Sequence, residues 1–244
     1  MSAAAGAAVP TLRVGGPNAR YAGGPLVAIC GLHGGAGTTS LARLLAEAAQ
    51  ASATAGAVML CETDPCGGGL AIELGQASPH GLHDVAADRR DARRAPFAQL
   101  PDGLRLCAAA PAPRAPADSS QVGATLDDAR AAHALTIVDC ATLREAHGHV
   151  ALERADAIVW TLGAHHEPRR ALLLLGSALA RSALRGRWVI AVSHAGVAGV
   201  DNARTAAREL TEHLAIDVVL VPNLASCDND ARALAVQQLS QALT

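Results

Sequence analysis

The chain has 244 residues and a formal net charge of −2; half of its residues are hydrophobic and only 2% are aromatic. That apolar content supports one sizeable core and excludes global disorder, and with 57 alanines and four aromatic rings the core has to be packed from small aliphatic side chains. All 20 basic residues are arginine, so any chemistry that needs a lysine in cis is excluded, and the lack of a basic excess argues against nucleic acid as the main partner.

Residues 1–24 are rich in Ala, Gly and Pro, have no period, and read as a flexible tail ahead of a single domain over 25–244. An alternation of strands and helices then begins. Leu26–Cys30 is a short buried strand, and a helix from about Thr39 carries Leu41, Leu44, Leu45 and Ala48 at helical spacing. Further apolar strands are expected at Ala57–Cys61, Leu104–Cys107, Leu135–Asp139, Ala157–Leu162, Trp188–Ser193 and Asp217–Val221. Helical stretches fall at about 125–133, 168–184, 201–214 and 228–242, with 111–120 as a surface loop. Continuous apolar strands between helices predict an α/β domain, with a mainly parallel central sheet covered on both faces. The first strand is expected in its interior.

No apolar run approaches the ~20 residues of a membrane helix. The N-terminus lacks the basic and Leu-rich segments of a signal peptide. Cys30, Cys61, Cys66, Cys107, Cys140 and Cys227 form no CxxC pair and read as reduced thiols of a cytoplasmic protein, mostly small buried hydrophobes. His165-His166-Glu167 reads as a solvated loop and not as a zinc site. The charge run at 89–94 reads as a solvated helix face, with a docking surface for an acidic partner as the alternative. The stretch 231–243 lacks the basic face and bulky anchors of a membrane-targeting helix.

In a parallel sheet, ligands bind at the C-terminal ends of the strands. The first strand runs into His33-Gly34-Gly35-Ala36-Gly37-Thr38-Thr39-Ser40, which opens a helix. Consecutive small residues let backbone N–H groups turn inward beside the positive end of the helix, which makes a cradle for phosphate. The second strand runs into Glu62-Thr63-Asp64-Pro65-Cys66-Gly67-Gly68-Gly69-Leu70, and the fourth ends in Val138-Asp139-Cys140-Ala141. Taken alone, the Gly-rich loop is also compatible with a tight strand-to-helix turn that binds nothing, the segment after the second strand with an Asx turn, and the fourth strand's end with any strand that happens to end in Asp.

Together these segments resemble the MinD/ParA family of P-loop ATPases. HGGAGTTS resembles its deviant Walker A loop, K-G-G-x-G-K-T-[ST], with His33 at the signature lysine and Thr38 at the phosphate-binding lysine. The resemblance implies nucleotide binding by His33 through Ser40 and by Pro222 of Val221-Pro222-Asn223. It implies Thr39, Asp64 and Asp139 around Mg²⁺, and Asp64 with Glu62 near the attacking water. The GGGL continuation, with Glu73-Leu74-Gly75 and Gly81-Leu82, is similar to the actinobacterial CpaE-like branch, related to the TadZ/CpaE proteins of Tad pili. Three departures stand out: both lysines are missing, Ala141 replaces a customary proline, and Ser193-His194 replaces an asparagine that holds the base.

The family's implied ligands are ATP and Mg²⁺, held weakly here; neither zinc nor NAD is expected. Two functions follow from the resemblance. One is a localisation or scaffold factor for a pilus, secretion or division apparatus, working through protein partners and recruited by them to the pole or membrane. The other is an active ATPase that dimerises on nucleotide. Fixed positive charge at the phosphates drives phosphoryl transfer, so the missing lysines favour the first, with hydrolysis weak or absent. A nicotinamide enzyme using Gly35, Gly37 and Glu62 lacks a catalytic set.

Overall fold

The computed structural model describes residues 23–52, 56–88, 97–112, 115–143, 146–164, 168–180, 184, 186–194 and 196–244. In chain order the elements are β1 (Leu26–Gly31), α1 (Thr38–Ser52), β2 (Val58–Glu62), α2 (Gly69–Leu74), α3 (Leu82–Ala87), β3 (Ala98–Gln99), β4 (Arg105–Cys107) and α4 (Ser119–Ala132). They continue with β5 (Leu135–Thr142), α5 (Ala146–Arg154), β6 (Ala157–Gly163), α6 (Pro168–Ala180), β7 (Arg187–His194), α7 (Gly196–His213), β8 (Asp217–Pro222) and α8 (Asn229–Leu243). The strands form one sheet in the order β3-β4-β2-β5-β1-β6-β7-β8, so β1 lies in the interior as expected. Every pairing is parallel except that of the two-residue edge strand β3 with β4.

Strand alternation sorts the side chains into two cores. Leu26, Ala28 and Cys30 of β1 face a layer holding Leu82 and Val85 of α3, Val122 and Leu126 of α4, Val150 of α5, Leu175 of α6 and Leu210 of α7. Val27 and Ile29 face the opposite layer, with Leu41 and Leu45 of α1, Leu70 of α2, and Val236 and Leu239 of α8. All six residues of β1 are buried, which is why its sequence is apolar without interruption.

The seven expected strands are present, each with its ends within a residue of expectation except β5, which runs three residues further, to Thr142. Four elements were not expected: α2, α3, α5 and β3. α4 starts at Ser119, inside the expected surface loop, because Asp118 caps it by accepting from Ser120 N at 2.8 Å while Asp118 N donates to Gln121 Oε1 at 3.1 Å. α7 starts at Gly196, five residues ahead of the expected position. The apolar face of α8 (Ala235, Val236, Leu239, Leu243) is buried against the sheet.

Gly23 and Gly24 lie against the end of α4, where Gly24 N donates to Arg130 O at 2.8 Å. The rest of the N-terminal tail, the charge run at 89–94 and His165-His166-Glu167 lie outside the described residues. Cys107, Cys61, Cys140 and Cys30 are buried on one face of the adjacent strands β4, β2, β5 and β1. Burial pushes the Cys30 and Cys140 thiols well above their usual range.

Candidate functional site

The six residues 32–37 carry the chain from β1 to α1. Gly35 and Gly37 sit at φ 73° and 83°, the left-handed region that suits glycine. A Cβ on Gly34, Gly35 or Gly37 would meet nothing within 4 Å, so these residues face open space. Among the described residues, no acceptor is bonded to the backbone N–H groups of Gly34 through Thr39. A row of unsatisfied donors at the N-terminus of a 15-residue helix fits an anion such as phosphate.

The loop's own side chains turn away from that space. His33 Nε2 accepts from Gly163 N at 3.0 Å, and its Nδ1 lies 2.8 Å from Gly34 O. An imidazole that accepts at Nε2 and faces a carbonyl at Nδ1 is the neutral Nδ1–H tautomer. Thr38 is buried, and its Oγ1 shares a hydrogen bond of 2.8 Å with Thr161 Oγ1. Leu32 N donates to Thr161 O at 3.0 Å. Three ties therefore hold the loop to the end of β6. Arg43 takes no part in the loop: it donates to Glu47 Oε1 at 2.7 Å and to Glu73 O at 3.0 Å, joining α1 to α2.

Two acids, Asp139 and Glu62, lie beside Thr39, and a third, Asp64, interacts with both. Asp139 is buried at the end of β5, its Oδ1 accepting from Ala141 N at 2.9 Å. Burial pushes its carboxyl up, while the Thr39 hydroxyl, within hydrogen-bonding range, and the Ala141 N–H draw it down. Ala141 has φ 51°, a conformation that a proline ring forbids, and this accounts for the missing proline. Glu62 accepts from Gly69 N at 2.8 Å, Leu70 N at 3.3 Å and Gly68 N at 3.1 Å, so its carboxylate closes the start of α2. Burial first, and then the nearby Asp139, raise its pKa to about 7. Asp64 Oδ1 accepts from Cys66 N at 2.8 Å in an Asx turn. Its charge reaches both Glu62 and Asp139.

Mg²⁺ takes one or two carboxylates together with substrate phosphates and water. Thr39, Asp139 and Asp64 offer that donor set. Among the described residues, no three His, Cys, Asp or Glu side chains are placed to hold a metal by themselves, so Mg²⁺ here would depend on a bound phosphate.

Beside the loop lies a cavity of about 270 Å³. Gly35, Ala36, Gly37, Ser40, Thr161 and Pro222 line it, and so do Ser193 and His194 at the end of β7. Sequence reasoning missed Asn202 of α7 and Asn223, which also line it. Asn223 Oδ1 accepts from Ala225 N at 3.1 Å, which leaves its amide N–H groups for a ligand. The base-recognition role that Ser193-His194 left open thus has two amide candidates. Asn223 was visible in the sequence, next to Pro222; Asn202 carried no signal.

An interior parallel strand that runs into a glycine-rich loop and a helix, with Thr39 and Asp139 on one side and a pocket on the other, makes an α/β domain with a mostly parallel central sheet. Solved structures share it. Cobyrinic acid a,c-diamide synthase from Mycobacterium smegmatis, with bound ATP analogue and magnesium, superposes with a TM-score of 0.69 at 16% identity, covering 90% of this chain and 94% of that one. A ParA family ATPase from Chlorobium tepidum gives 0.68 at 19% identity over 91% and 96%. MinD in the MinC:MinD cell division complex of Aquifex aeolicus gives 0.64 at 17% over 90% and 92%. The sequence matches no protein-family model and no curated protein.

Proposed function

We propose that this chain is a MinD/ParA-like P-loop protein of the CpaE/TadZ-like branch, with a degenerate Walker A loop, that holds a nucleotide with little or no hydrolysis. Residues 25–244 form its functional unit. It serves as a localisation or scaffold factor for a pilus, secretion or division apparatus, acting in the cytoplasm and recruited by protein partners to the pole or membrane. Among the described residues, no helix is long and apolar enough to cross a membrane. The observation that carries this reading is the split within the loop. The backbone donors of Gly34–Thr39 stand open, while His33 and Thr38, at the two lysine positions, are bonded to β6. A cradle without cations can hold a phosphate, but it lacks the fixed charge that stabilises phosphoryl transfer.

One observation favours the second reading, an active ATPase: the Thr39 hydroxyl lies within hydrogen-bonding range of Asp139, as residues that would hold Mg²⁺ together should. Steady-state phosphate release by the purified chain with MgATP separates the two. The scaffold reading expects turnover indistinguishable from that of Asp139→Ala. Turnover that both Asp64→Ala and Asp139→Ala abolish would establish the ATPase. Thr38→Lys returns a cation to the loop and is expected to tighten ATP binding.

A further inference from the structure

We infer that the nucleotide site does not distinguish a nucleoside triphosphate from the diphosphate, so that loss of the terminal phosphoryl group does not switch the protein. This rests on the reading of Gly34–Thr39 as a phosphate cradle and concerns what that cradle can sense.

A site that discriminates triphosphate from diphosphate needs a group that meets the extra charge. The side chains of this loop are committed elsewhere. Both ring nitrogens of His33 are occupied, by Gly163 N at 3.0 Å and by Gly34 O at 2.8 Å. Donation from Nδ1 and acceptance at Nε2 keep the ring neutral. The Thr38 and Thr161 hydroxyls share one hydrogen bond, so the pair retains one O–H hydrogen to offer and no charge. Arg43, the nearest arginine in sequence, is tied to Glu47 and to Glu73 O. Among the described residues, no arginine lines the 270 Å³ cavity. On the other side of Thr39, Glu62 and Asp139 occupy paired positions on β2 and β5, and Asp64 adds its charge to both.

The balance of charge follows from these contacts. Backbone N–H groups and the positive end of α1 act over the first turn only, where they reward the first phosphates seated there. Each further phosphoryl group adds negative charge facing three acids and no described guanidinium. Bound Mg²⁺ would offset this for diphosphate and triphosphate alike. Among the described residues nothing is left to prefer the longer chain, and the protein's conformation follows occupancy of the site, since a ligand shifts an equilibrium only through differential affinity.

The test is titration of the purified full chain with MgADP and MgATP. It is followed by calorimetry and by the amide NMR signals of Gly34–Thr39, with ¹⁵N imidazole shifts read for His33. The expected result is dissociation constants within threefold of each other, the same amides moving with both ligands, and a His33 ring in the Nδ1–H form. Thr38→Lys is expected to raise the preference for ATP at least tenfold. ATP binding more than threefold tighter than ADP in the unmodified chain would show that a cation reaches the terminal phosphate. That result overturns the inference and leaves the cradle standing. If neither nucleotide moves these amides, the cradle reading falls and the inference falls with it.

Discussion

Asp156→Ala tests how β1 is anchored. Asp156 Oδ2 receives Arg130 Nη2 and Leu26 N, each at 2.7 Å, and the side chains of Arg130 and Asp156 are 0% and 2% exposed. Arg130 also donates to Gly24 O at 3.1 Å and Arg154 O at 3.2 Å, so one guanidinium gathers the entry to β1, the end of α5 and the start of β6. Removing one member of a buried ion pair costs about 3–5 kcal/mol. The Leu26 N–H, stripped of its acceptor at the head of a buried strand, adds about 1–3 kcal/mol. The two effects share one pocket and do not simply add, so about 4 kcal/mol is the expected loss. With a urea slope of about 2 kcal/mol per molar, the midpoint should fall by roughly 2 M. Unfolding followed by circular dichroism measures it. The double variant Arg130→Met/Asp156→Leu removes both charges and should recover more than half of the loss, because apolar groups of similar volume replace a buried pair well. A midpoint for Asp156→Ala within 0.3 M of the parent would refute the anchoring argument.

Three further outcomes are expected. Gly31→Ala places a methyl 2.7 Å from Thr38 Oγ1 and 2.9 Å from Ala141 O, so the loop has to shift; nucleotide binding should weaken at least tenfold by calorimetry while far-UV circular dichroism stays unchanged. Glu62, with its pKa raised from 4.5 to about 7, contributes stability that is fully present below pH 4.5 and lost as pH rises through 7. This amounts to on the order of 3 kcal/mol across that window, and urea unfolding against pH should show that Glu62→Gln flattens the decline. Finally, a thiol-reactive dye should titrate exposed Cys66 and half-buried Cys227 in the native protein, and Cys30, Cys61, Cys107 and Cys140 only after denaturation; more than two fast thiols would contradict the packing.

The long strands and the loop after β1 were legible because their signals are local: unbroken apolar runs, and small residues ahead of a periodic helix. The missed elements are those whose stabilising partners lie far along the chain. α2 has six residues, begins at a glycine and follows Gly68 at φ 105°, and its start is closed by Glu62 from the preceding strand. β3 exists only through two pairings with β4. α3 holds His83, whose Nε2 lies 2.8 Å from Thr63 O and whose Nδ1 accepts from Ala117 N at 3.1 Å; neither partner is a sequence neighbour. The same holds at the site. The motif placed Thr39 and Asp139 together, but only the fold shows that His33 and Thr38 turn toward β6, since Gly163 and Thr161 lie more than 120 residues away.

The two tryptophans meet edge to face across β6 and β7, with ring centroids 5.1 Å apart. Trp160 directly precedes Thr161, the residue that grips the loop from behind, and Trp188 stands near the start of β7. Every photon of tryptophan emission therefore comes from one patch of the sheet, while β2, β4 and α1 are optically silent. Fluorescence melting reports that patch alone, and far-UV circular dichroism reports the whole backbone. The gap between the two curves is thus a direct gauge of whether the half of the sheet that carries the acids unfolds together with the half that holds the loop.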